Sequence, residues 1–141
     1  MLACVLVPLL ALMAVNVTNA QDEKQYEPLV YHDADSKGIG AGKHIVFLAG
    51  DHEYRSEETQ PAIARLMARH HGFKCTVLFN VDSEGYIEPG NNNMPGLEVL
   101  KTADLAVVFL RFQDFPDEQM QHFVDYLDPV SYTHLTLPTK A

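Results

Sequence analysis

Lys43-His44-Ile45-Val46-Phe47-Leu48-Ala49-Gly50-Asp51-His52-Glu53-Tyr54-Arg55-Ser56-Glu57-Glu58 carries three signals in succession. The run 44–49 is apolar without alternation and includes β-branched residues, which is how a strand covered on both faces of a parallel sheet reads. Gly50 ends it, and the polar loop Asp51 to Arg55 follows. Helix signals come next. Ser56 or Thr59 suits the cap, and Glu57 and Glu58 suit the positive end of a helix dipole. Pro61 is tolerated only in a first turn, so a regular helix is expected from near Thr59. Ile63, Leu66, Met67 and His70 share one face at helical spacing, and Gly72 is the expected stop.

The same alternation continues along the chain. Lys74–Phe79 reads as a second strand, Asn80 to Met94 as a long polar loop near a site, and Pro95–Lys101 as a short helix. Leu105–Leu110 is a third strand, apolar throughout, and Arg111–Phe115 is its exit loop. Pro116 suits the first position of a last helix, whose expected buried stripe is Met120, Phe123, Val124 and Leu127. Strands alternating with helices imply right-handed crossovers and an α/β fold with a parallel sheet. Residues 21–42 are polar and turn-rich and read as a leader lying on the surface. Their glycines do not make a phosphate loop, because they precede a strand, whereas that motif follows one.

The chain has 141 residues, 47% hydrophobic, with a formal net charge of −9 and two cysteines. One small acidic domain fits these values, and nucleic acid is excluded as a partner because phosphate contacts need a basic face. Two cysteines are too few for a disulfide scaffold, and Cys75, inside a strand, reads as a small core residue. Residues 1–20 hold an uncharged apolar run followed by small residues at Thr18 and Ala20, the pattern of a signal peptide cleaved after Ala20. A buried N-terminal helix is the other reading of that run. With the signal removed, no membrane span remains in the mature chain, and the expected location is periplasmic or secreted. Residues 129–141 lack helical or strand periodicity. They are similar to the translated read-through of a sequencing adapter, which makes them an expected artefact tail, with a natural hairpin as the alternative. Three strands leave one sheet edge open, so residues 21–128 alone are expected to be marginal or aggregation-prone.

Chemistry in open α/β sheets gathers beyond the carboxyl ends of the strands, at the switch in strand order. In a flavodoxin-like order 2-1-3, the first predicted strand lies between the other two, and its exit loop and that of the third flank one crevice. Asp51, His52, Glu53, Tyr54 and Arg55 come from one loop; Arg111, Gln113 and Asp114 come from the other. A histidine beside carboxylates suits proton transfer, so His52 and Glu53 are the catalytic candidates. Asp51, Tyr54, Arg55, Arg111 and Gln113 are the ligand-binding candidates, an arginine at a strand end being suited to a carboxylate or a sugar hydroxyl. A network of solvated loop charges with one capping carboxylate accounts for the same residue types. No metal-ligand set and no cofactor is identified.

Residues 43–58, quoted above, resemble the opening of a ThuA-like (trehalose-utilisation) domain. Ala103-Asp104-Leu105-Ala106-Val107-Val108-Phe109-Leu110-Arg111, followed by Pro116-Asp117-Glu118-Gln119-Met120, is similar to that family's third strand and following helix. The match covers residues 43–128. It implies a class I glutamine amidotransferase-like, flavodoxin-related fold, here its N-terminal part, and a link to carbohydrate metabolism with a small-molecule ligand, a sugar being the candidate. A non-catalytic ligand-binding relative of the amidotransferases is the alternative. The family's further site segments, a Thr-His segment or a cysteine elbow, would lie beyond Asp128.

Overall fold

The three apolar runs pair side by side. In the computed structural model, which describes residues 26–33 and 35–134, one sheet is built from β1 (Leu29–Tyr31), β2 (His44–Ala49), β3 (Lys74–Phe79) and β4 (Leu105–Phe109), in the order β1-β3-β2-β4. β2 runs parallel to both neighbours, with Ile45 in register with Cys75 and Leu105, and Ala49 with Phe79 and Phe109. All six residues of β2 are buried. This is the physical reason for the unbroken apolar run from Ile45 to Ala49: both faces and both edges are covered.

The expected all-parallel sheet of three strands is corrected to a mixed sheet of four. Residues 21–42, read as a surface leader, supply β1, which pairs antiparallel to β3 through Leu29 with Val77 and Tyr31 with Cys75. Three residues after Pro28 are too few to display a strand period. The pairing is supported from outside the strand, where the Tyr26 hydroxyl accepts a hydrogen bond from the Phe79 N–H at 2.9 Å. The expected signal peptide, residues 1–20, and residues 135–141 of the expected tail lie outside the described residues. The backbone of α2 (Asp117–His134) is helical past Asp128, into the first part of that tail.

Each face of the sheet has its own core. Ile45, Phe47, Ala49, Cys75, Val77 and Phe79 pack under Ala64 and Ala68 of α1 (Ser56–His71). Val46, Leu48 and Leu78 pack with Met94, with Leu97 and Leu100 of a 3₁₀ helix (Leu97–Thr102), and with Phe115; Met120, Phe123 and Tyr126 of α2 adjoin them. Full burial of one such large side chain contributes about 1.5–3 kcal/mol.

Both helices differ from the expected stripes. α1 starts at Ser56, ahead of Thr59, with Arg55 as its cap residue. The amides of Glu58 and Thr59 donate to the Arg55 carbonyl, and the Ser56 hydroxyl donates to the Asp51 carbonyl, which together fix a turn before Pro61. Its buried face is Ser56, Gln60, Ala64 and Ala68, while Ile63 and Leu66 are exposed. Alanines bring the helix axis close to a sheet already crowded by large side chains. On α2, Val124 and Leu127 are exposed, and Tyr126 takes the inward place beside Met120 and Phe123. The reason lies at the sheet edge. Among the described residues β4 pairs with β2 alone, and none of them stands beyond it for those two side chains to cover. Leu105 is 51% exposed and Val108 44%, although the strand is entirely apolar.

Candidate functional site

Parallel strands send their carboxyl ends the same way, so the residues leaving β2, β3 and β4 meet. Gly50 and Asp51 both donate their amides to the Phe109 carbonyl at 3.1 Å, which ties the exit of β2 to the exit of β4. On the other side, the Gly90 amide donates to the Gly50 carbonyl at 2.9 Å and draws in the loop that follows β3. Gly50 is the pivot of all three. A Cβ there would lie 2.7 Å from the Asn80 amide group and from Leu110, so a larger residue would have to push those side chains aside.

Asp51 is buried, and its Oδ1 accepts the amides of Glu53 at 2.8 Å and Tyr54 at 2.9 Å. It is the residue that bends the loop, as a short acceptor side chain does in a turn. The bend turns His52 and Glu53 to different neighbours. Glu53 forms an ion pair with Arg111, which crosses between the two exit loops. The Arg111 guanidinium also lies 5.9 Å from the Tyr54 ring centre and 5.0 Å from that of Phe112, within cation–π range. Tyr54 leans on Phe109, ring centres 6.3 Å apart. Arg55 takes a left-handed conformation and pairs with Glu58 at 3.5 Å.

His52 lines a polar cleft of about 640 Å³ together with Glu88, Pro89, Gly90, Asn91 and Asn92. Gly90 has φ +88°, and a Cβ on it would lie 3.3 Å from His52, so the glycine opens room for the imidazole. Arg111 and Gln113 line a separate, mainly apolar cavity of about 280 Å³ between the end of β4 and α2. Phe112, between them, is 85% exposed at φ +54°, a conformation uncommon for a bulky residue.

Gln113 is fixed at both ends. Its Nε2 donates to the Arg111 carbonyl at 2.6 Å, and its Oε1 accepts from the Asn80 Nδ2. The same Nδ2 donates to the Asn91 carbonyl. Asn80 is fully buried, and its Oδ1 has no hydrogen-bond partner. One side chain thus holds the wall of the polar cleft and the backbone of Arg111 in one arrangement.

Of the candidates read from sequence, Glu53, Tyr54 and Arg111 come together, with Gln113 supporting Arg111 from behind. His52 is directed into the polar cleft, which Glu53 does not line. Asp51 and Arg55 shape the start of α1. Sequence reasoning missed Asn80, Glu88, Asn91 and Asn92. The available signal was Asn80 itself, the first residue after β3, which must stand beside Gly50 once β2 and β3 are parallel. Among the described residues, no group of three or more His, Cys, Asp or Glu side chains is placed to hold a metal ion.

No family model matches the chain, and neither a curated protein nor a solved structure matches it. The ThuA-like resemblance therefore rests on the residues quoted for it.

Proposed function

We propose that this chain is an exported, ThuA-like protein of flavodoxin-related architecture, acting in carbohydrate metabolism on a small polyhydroxylated ligand. The observation that carries the reading is the convergence of the exits of β2 and β4, sealed by the two amides on the Phe109 carbonyl. Adjacent parallel strands whose chain connections depart to opposite sides open a crevice at that point. The cleft beside it is lined by a histidine, a carboxylate and two asparagine side chains, groups that exchange hydrogen bonds with hydroxyls. Arg111, held by Glu53 and flanked by two aromatic rings, lines the neighbouring cavity at the end of β4 and would meet an acidic substituent or ring oxygen of a ligand that reaches across the exit loops.

A second reading has a specific observation in its favour. Glu53 is neutralised by Arg111, and His52 lies in a cleft that Glu53 does not line, so the two catalytic candidates do not form an acid–base pair. That arrangement suits a binding protein related to the amidotransferases better than a hydrolase. Isothermal titration with trehalose separates binding from none, and product analysis after long incubation separates turnover from binding. Binding that is lost in His52→Ala and Arg111→Ala supports the site. Unchanged binding in both variants removes it.

A further inference from the structure

Two hydrogen bonds decide which way the side-chain amides of the polar cleft are turned. The Asn91 Nδ2 donates to the Glu88 Oε2 at 2.7 Å. An ionised carboxylate only accepts, so the Asn91 amide keeps its Oδ1 to accept a further bond. The Asp114 N–H donates to the Asn92 Oδ1 at 2.8 Å. A backbone amide only donates, so Asn92 keeps the N–H donors of its Nδ2. The wall that carries these groups is held along its length. The Glu88 amide donates to the Asn80 carbonyl and the Gly90 amide to the Gly50 carbonyl, both at 2.9 Å. Further on, the Asn93 carbonyl accepts from the Val81 amide at 2.9 Å, and its Oδ1 accepts from Gln119 of α2 at 2.8 Å.

The cleft is also one-sided in charge. Apart from His52, Glu88 is the one ionisable side chain that lines it, and no lysine or arginine does. Among the described residues no cation forms an ion pair with Glu88, whereas Glu53 and Glu58 each hold an arginine. We infer that Glu88 determines specificity in this cleft: it accepts a pair of neighbouring sugar hydroxyls, and its charge bars an anionic sugar from the same place. The inference rests on the reading of the cleft as a sugar site and narrows the ligand on this side to a neutral or cationic sugar. A carboxylate suits a pair of hydroxyls because its two oxygens offer about four acceptor positions, of which Asn91 uses one. Asn92 supplies the donor that a third sugar oxygen needs. An acidic substituent meets like charge here and is left to the Arg111 side of the exit loops.

Glucose, glucosamine and glucuronate share one ring and differ in charge. They are titrated into the isotope-labelled full chain at about pH 7, where carboxylates are ionised and amines mostly protonated, and followed at the side-chain amides of Asn91 and Asn92. In the wild type, glucosamine is expected to bind at least as tightly as glucose. Glucuronate is expected to bind at least about fivefold more weakly than glucose, the effect of one like-charge contact in water. Glu88→Gln retains an acceptor for Asn91 and removes the charge, so it separates specificity from a structural role. In that variant the three affinities are expected to fall within about twofold of one another, with an unchanged melting temperature. Glucuronate that shifts Gln113 and leaves Asn92 still is the same exclusion seen from the Arg111 side. Glucuronate binding at Asn92 as tightly as glucose, or an order of affinities that survives Glu88→Gln, overturns the role of Glu88 while the sugar site stands. No shift with any of the three removes the sugar reading and this inference with it.

Discussion

Glu53 and Arg111 form an ion pair that joins the loop after β2 to the loop after β4. The pair spans the line along which the two strands separate, and both side chains keep access to solvent, at 52% and 36% exposure. An exposed pair of this kind contributes little to stability, in the range of about 0–1 kcal/mol. Its value lies in where it holds the guanidinium.

The first prediction follows from that split. Arg111→Ala is expected to change the unfolding free energy by less than about 1 kcal/mol, while trehalose binding falls at least severalfold. Chemical denaturation and titration of the same sample check both halves. A large loss of stability would make Arg111 a structural residue.

Asn80 behaves oppositely. Asn80→Ala leaves the Asn91 carbonyl and the Gln113 Oε1 without their shared donor in a buried setting. The expected loss is about 1–3 kcal/mol, seen as a lower midpoint in denaturant. Ligand affinity is expected to drop as well, because Arg111 loses its anchor through Gln113. Wild-type stability in this variant would contradict the role given to Asn80.

His44 predicts a pH dependence at the far end of the sheet. Its ring contacts the Thr76 hydroxyl at 2.9 Å and the Thr102 hydroxyl at 3.0 Å, and it is buried. Burial, reinforced by nearby Lys74, holds its pKa below the usual 6.5, against the opposing pull of the Thr102 carbonyl and Asp104. The folded state therefore binds the proton less readily than the unfolded chain. Stability is complete above about pH 6.5 and is lost as pH falls through the lowered folded value. Melting temperatures between pH 8 and 5 are expected to decline in wild type and to decline less in His44→Gln. Equal slopes would exclude His44 as the source.

Cys75 is expected to be inert while the protein is folded. It is fully buried in β3, and burial pushes its thiol up to about 11. The thiolate is the reactive form, so an aromatic disulfide reagent at pH 8 is expected to label Cys75 at the rate of unfolding. Immediate labelling of Cys75 itself in the native chain, read by peptide mapping, would contradict this packing.

The strands and helices were legible because burial on both faces leaves a mainly apolar run, unbroken in Ile45–Ala49 and interrupted only by Thr76 in Cys75–Phe79. β1 was not legible: Leu29–Tyr31 is too short to carry a period, and it is a strand only because β3 offers an edge. The helix faces were misjudged where neighbours decide burial. Ala64 and Ala68 outrank Ile63 and Leu66 because closeness to the sheet favours small side chains, and Val124 and Leu127 face no layer among the described residues. In the site, Glu53 and Arg111 were legible from strand ends alone. The division of His52 from Glu53 was not, because it depends on Asp51 accepting two successive amides. Glu88 to Asn92 were read only as a loop, since their place beside His52 is set by one long-range bond, Gly90 to Gly50.

The most direct test of the account is an amide chemical-shift map of the isotope-labelled protein titrated with trehalose. The account predicts that the largest shifts fall on His52, Tyr54, Gly90 to Asn92 and Arg111 to Gln113, with the sheet's opposite end around His44 and Asp104 unmoved. Saturating shifts confined to other residues, or none at ligand concentrations up to about 10 mM, where even an affinity near 1 mM would be saturated, would contradict a sugar site at the exits of β2 and β4.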